Sequence, residues 1–63
     1  DLFGANLEGA DLSFTDLRET ILTGAILTDL IGVPAEDKLP FGYKITQREE
    51  GGETLYSIVK SED

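Results

Sequence analysis

Leucine occupies every fifth position through the first half of the chain: Leu2, Leu7, Leu12, Leu17, Leu22 and Leu27. A helix advances about 100° per residue, so steps of five scatter these side chains around its axis. In a flat strand, steps of five place alternate leucines on opposite faces. All six can point inward only if the chain bends once per five residues, always in the same sense. The spacing therefore predicts a wound chain with leucine along its axis.

The other columns of the repeat fit that path. Two residues before each leucine stand Ala5, Ala10, Thr15, Thr20 and Ala25. These are small side chains, suited to an inner corner beside the leucine. The column just before each leucine reads Asp1, Asn6, Asp11, Asp16, Ile21 and Ile26. Asp and Asn suit bends because their short side chains bond nearby backbone groups. The two columns after each leucine vary and are mostly polar, as a solvent face should be. Glycine recurs there at Gly4, Gly9 and Gly24, where tight corners are expected.

Ala5-Asn6-Leu7-Glu8-Gly9 and Ala10-Asp11-Leu12-Ser13-Phe14 fit the pattern A-(D/N)-L-x-x in full. Thr15-Asp16-Leu17 and Ala25-Ile26-Leu27 fit it in part. Residues 1–29 thus resemble the pentapeptide repeat family. The resemblance implies an all-β fold, a right-handed four-sided β-helix with four pentads per coil, so that residue n lies against residue n+20. About one and a half coils are expected. The inward positions are Leu2, Ala5, Leu7, Ala10, Leu12, Thr15, Leu17, Thr20, Leu22, Ala25 and Leu27. So short a stack leaves most sheet edges unpaired and needs further coils, a cap or a partner. Asp1 precedes the first leucine by one residue, so the chain reads as the tail of a longer array or a trimmed piece of one.

The register fails after Leu27. Its next leucine position is Gly32, and its next small position is the large Leu30. The segment 30–34 therefore reads as an exit, closing a solenoid of residues 1–33, with Leu30 and Val33 covering the open end. A linker over 34–42 follows. Pro34 to Lys38 suits one helical turn, with proline first and acids near the positive end. Residues 43–60 read as a β-hairpin around Glu49-Glu50-Gly51-Gly52, and 61–63 as a frayed tail. Two hairpin registers compete. A two-residue Gly51-Gly52 turn sets Glu50 against Glu53, which repels. A four-residue loop sets Arg48 against Glu53, Ile45 against Tyr56 and Tyr43 against Ile58, and is the preferred expectation. Its apolar face of Tyr43, Ile45, Tyr56 and Ile58 is expected to cap the end of the repeats. A lone hairpin is marginal in water, which favours that docking.

Composition narrows the function. With no Cys and no His among 63 residues, disulfides, Cys/His metal sites and histidine acid–base chemistry are excluded. No P-loop, dinucleotide fingerprint, EF-hand or nucleophile elbow is present. The acid pairs Glu36-Asp37 and Glu49-Glu50 lie in expected surface turns and read as solvated charge. No catalytic residue, cofactor or metal is expected. Thirteen acids against five bases give a net charge of −8, which disfavours direct contact with nucleic acid or an anionic membrane. No membrane-length apolar run or signal-peptide pattern is visible, which suits a soluble protein and slightly favours the cytoplasm.

A structural or protein-interaction module therefore leads, with a protein partner or further copies or coils of a longer chain as its contacts. The resemblance also implies an alternative, an acidic DNA mimic that inhibits DNA gyrase. The short array and the change to Ile21 and Ile26 in the acidic column count against it. A component of a larger assembly, such as a fibre or viral tail, is a third reading. Phe3 and Phe14 fall in outward columns and are possible partner contacts. For Phe14 the ordinary expectation is cover by a neighbouring loop or the hairpin.

Overall fold

The computed structural model describes residues 1–61. It is all-β, with a two-stranded antiparallel sheet formed by β1 (Tyr43–Glu50) and β2 (Glu53–Lys60). The repeat segment contains no long strand. Instead it turns at regular intervals: the N–H groups of Ala5, Ala10, Thr15, Thr20 and Ala25 donate to the carbonyls of Leu2, Leu7, Leu12, Leu17 and Leu22, at 2.9–3.2 Å. Each is a four-residue turn that starts on a leucine. The third position of four of these turns is left-handed, at Gly4, Gly9, Phe14 and Gly24, as the turn type with positive φ at that position requires.

The column before each leucine stiffens these corners. The side-chain oxygens of Asp1, Asn6, Asp11 and Asp16 accept from the N–H groups of Phe3, Glu8, Ser13 and Arg18 at 2.9–3.1 Å. A corner N–H that would face only water is thus bonded within the same pentad. Ile21 and Ile26 have no such oxygen and stand half exposed.

Residues about twenty apart are hydrogen-bonded. Leu2 and Leu7 donate to the carbonyls of Ile21 and Ile26, and the Ile26 N–H returns to Ala5 at 2.8 Å. Asn6 forms a parallel bridge with Ile26. The same pairing continues past the point where the sequence pattern breaks. Asp11 bridges Gly32 in parallel, Leu12 donates to Gly32 at 3.0 Å, and Leu17 donates to Lys38 at 2.7 Å. The expectation of an exit at residues 30–34 is corrected here. One residue is inserted before Gly32 and another before Lys38, but the backbone still follows the first stretch.

Gly32 suits this approach. A Cβ there would collide with the Ser13 hydroxyl and the Asp11 carboxylate. The glycine that breaks the leucine column is therefore the residue that lets the second stretch lie against the Asp11–Ser13 corner. The helical turn is a 3₁₀ turn over Glu36–Lys38, preceded by Ala35. Pro34 lies outside it and is buried. Leu39, within the expected linker over 34–42, follows the paired Lys38 directly and is buried among the leucines.

The hairpin adopts the other register. Glu50 pairs with Glu53, Ile45 with Ile58 and Gln47 with Tyr56. The preferred pairings of Ile45 with Tyr56, Tyr43 with Ile58 and Arg48 with Glu53 are thus overturned. Gly51 and Gly52 both have positive φ, 61° and 83°. That is the two-residue turn whose twist matches the strands it joins. The Glu50–Glu53 repulsion is exposed to water, and Arg48 Nε reaches Glu50 at 3.2 Å. A shift of two residues leaves each side chain on its own face. Tyr43, Ile45, Tyr56 and Ile58 therefore still share the apolar face. The tail expected at 61–63 lies outside the described residues apart from Ser61, whose N–H donates to Gly42.

Leu17, Leu22, Leu27, Leu30, Leu39 and Ile58 form the buried core. Leu2, Leu7, Leu12, Ala10, Ala25, Val33, Tyr43, Ile45 and Tyr56 pack around it, partly buried. Ala5, Thr15 and Thr20 are likewise half-buried.

Candidate functional site

The hairpin joins the repeats at one corner, where the turn pattern changes. At five earlier corners the leucine carbonyl accepts from the N–H three residues on. At Leu27 it accepts instead from Ile58 at 3.0 Å. The Leu30 N–H donates to the Tyr56 carbonyl, and the Tyr56 N–H returns to Leu30, at 2.8 and 2.9 Å. The groups that elsewhere close the turn are given to β2.

The side chains at this corner follow the same change. Leu30 stands in the small-residue column and is fully buried, at 0 % exposure. An alanine there would leave the space between corner and hairpin unfilled. Asp29 takes the left-handed corner position, with φ 56°. Its carboxylate receives Arg48 of β1 at 2.6 Å. The Asp29 and Glu50 carboxylates hold the Arg48 guanidinium above its ordinary pKa. Both partners are partly exposed, so the pair fixes the hairpin's orientation more than it stabilises the fold.

A second corner stands open to solvent. Phe14 is left-handed, with φ 63°, and is fully exposed. The cover expected from a loop or the hairpin is absent, and β2 docks instead at Leu27–Leu30. Beside Phe14 lies an open cleft of about 460 Å³, lined by Thr15, Asp16, Val33, Ala35 and Lys38 as well. Phe3 is also exposed, at 70 %. Phe41 is exposed too, and so is Ile31, which was expected to help Leu30 and Val33 close the open end of the coil.

Charge on this side is organised locally. Asp16 grips Arg18 with both oxygens, the shortest contact being 2.7 Å. This guanidinium and the Arg18 N–H hold the Asp16 carboxyl well below the usual carboxylate range. The Ser13 hydroxyl and N–H likewise lower Asp11. Among the described residues, no cluster of three or more potential ligands is placed to hold a metal ion. No helix there is long and apolar enough to cross a membrane. The arrangement offers corners, edges and an apolar cleft rather than a reactive group.

The family model described as Pentapeptide repeats (8 copies) matches residues 1–31. Residues 1–31 are pentapeptide repeats. The matched segment ends at the corner where the hairpin docks. No curated protein and no solved structure matches the chain.

Proposed function

We propose that this protein is a non-enzymatic structural and protein-interaction module. Its pentapeptide repeats form the last coils of a right-handed, four-sided β-helix, and β1 and β2 close one end of that stack. The leucines fill the tube, the Asp and Asn column fixes its corners, and Leu30 seats the hairpin. The opposite end, at the first stretch, is open to further coils or to a partner, and the Phe14 corner offers an apolar contact beside its cleft.

One observation carries this reading. The Leu27 carbonyl and Leu30 N–H bond the hairpin instead of each other, so the hairpin replaces a corner of the repeat. A free sheet edge recruits other chains, and covering it is a recognised way to prevent that. The test is sedimentation of the full chain beside a chain truncated after Phe41. The truncated chain is expected to lose its β circular dichroism or to sediment as large aggregates. A folded, monodisperse truncated chain would end the closing role assigned to the hairpin.

A further inference from the structure

Each strand has two edges, and in this hairpin one of the four is open. The inner edges of β1 and β2 pair with each other. The outer edge of β2 is taken by Leu27 and Leu30. Both backbone groups of Tyr56 face Leu30, so the Gln47–Tyr56 pair is one that exchanges no hydrogen bonds across the hairpin. The N–H and C=O of Gln47 therefore point outward, and by alternation so do those of Ile45 and Glu49. Tyr43, the next in the row, already donates to Pro40 at 3.3 Å. Among the described residues nothing bonds the outward groups of Ile45, Gln47 and Glu49, and Gln47 and Glu49 are exposed.

We propose that this edge pairs antiparallel with β1 of a second copy of the chain, in a two-fold register centred on Gln47. The three free positions are themselves symmetric about Gln47. Only that register uses all of them: Ile45 meets Glu49 of the second copy, Gln47 meets Gln47, and Glu49 meets Ile45. Every free donor then finds a free acceptor.

The side chains agree with it. On the other face the same register sets Lys44 against Glu50 of the second copy, twice by symmetry, and opposite charges directly across a ladder are favourable. Moving the centre to Thr46 would set Lys44 against Arg48, which repels. The edge is eight residues long, with no proline and no bulge to blunt it. Its protection is charge alone, and that charge is self-complementary in one register. The net charge of −8 on each copy opposes association, so the pairing is weak and strengthens as salt screens the long-range repulsion.

This inference names a partner for the interaction role proposed above and rests on that role for its purpose. The geometry uses the hairpin alone, so its failure leaves the truncation result untouched. The chain has no cysteine, which permits single-cysteine variants. In the proposed register the two Gln47 Cα atoms stand about 5.5 Å apart, within disulfide range. The two Thr46 Cα atoms stand more than about 7 Å apart, outside it. Gln47→Cys is expected to oxidise to a covalent dimer about tenfold faster than Thr46→Cys, with unchanged circular dichroism. Sedimentation equilibrium of the unmodified chain is expected to give a dimer with Kd between about 10 μM and 1 mM. Lys44→Glu should weaken it about tenfold, and Lys44→Glu with Glu50→Lys should recover most of that loss. Equal oxidation rates at the two positions, or a chain that stays monomeric to about 1 mM, would overturn the proposal.

Discussion

Residues 1–20 and residues 21–38 follow the same path and differ in what lies beyond them. The second stretch has the first on one side and the hairpin on the other. Among the described residues, the backbone of the first bonds, outside its own turns, only to the second. Leu17 at the junction and Leu22 and Leu27 in the second stretch are 3–5 % exposed, whereas Leu2, Leu7 and Leu12 are only partly buried. The residue type is the same throughout and Leu22 makes the same turn as Leu2 and Leu7, so the difference there comes from the neighbour. A pentapeptide repeat supplies the corner and the inward leucine, but burial is completed by whatever lies on each side. The corners differ too: the first stretch binds its corner N–H groups through Asp and Asn, and the second presents Ile21 and Ile26.

The widest gap between the two stretches should appear on truncating leucines. Leu27→Ala or Leu30→Ala removes a buried side chain and is expected to cost about 2–5 kcal/mol. A chain of this size has about 3–9 kcal/mol in total, so either variant should lose roughly half of its stability. Leu2→Ala should cost about 1 kcal/mol, because its side chain is already partly in water. Urea denaturation followed by circular dichroism measures both, and equal losses would erase the distinction.

Gly32→Ala probes the contact between the stretches. Its Cβ has no room beside Ser13 and Asp11, and both side chains must move. The expected loss is about 1–3 kcal/mol. The double variant Gly32→Ala with Ser13→Gly should recover part of it, and no recovery would place the strain elsewhere.

Phe14→Gly should work in the opposite direction. The left-handed backbone is costly for phenylalanine, and the fully exposed side chain returns little packing. A gain of about 0.5–1 kcal/mol is expected in the same denaturation measurement. A loss would mean that Phe14 packs in solution.

The smallest effect concerns charge. The Asp16 carboxyl sits below the ordinary carboxylate range because of Arg18. A depressed folded value stabilises the fold above the unfolded value near ~3.9, and that contribution is lost as pH falls towards the folded one. Both groups are exposed, so the effect on stability is slight. Carboxyl NMR titration should give an Asp16 midpoint well below ~3.9, moving up in Arg18→Ala. An unmoved midpoint would mean that Arg18 does not hold Asp16 in solution.

The contrast also marks what could be read in the sequence. The leucine spacing has one geometric solution, so the turns at Leu2, Leu7, Leu12, Leu17 and Leu22 were legible, while the offset of about twenty followed from the resemblance to pentapeptide repeats. So was the bonding role of Asp1, Asn6, Asp11 and Asp16, because it acts within a pentad. The pairing of Gly32 and Lys38 was not. Both lie beyond the last leucine of the pattern, and their places depend on the Asp11–Ser13 corner and on Leu17. Leu39 was missed for the same reason.

The hairpin's faces were legible because alternation survives a shift of two. Its register was not, because the exposed Glu50–Glu53 repulsion was weighed above the strand twist that the Gly51-Gly52 turn satisfies. The docking corner did leave a signal: Leu30 is the one large residue in a column of alanine and threonine. It was expected to cover the open end, and it is the residue on which β2 sits. Phe14's exposure had no local signal, since cover depends on where the hairpin lands.

Amide hydrogen exchange tests the central claim most directly. If the chain turns once per five residues and lays one stretch against the next, the amides of Leu7, Leu12, Leu17, Ile26 and Ile31 are bonded between stretches. Those of Asn6, Asp11 and Asp16, interleaved with them, face the open edge. The first set should exchange at least about tenfold more slowly than the second in the folded chain. Equal rates across the two sets, or protection repeating every three to four residues as in a helix, would contradict the account.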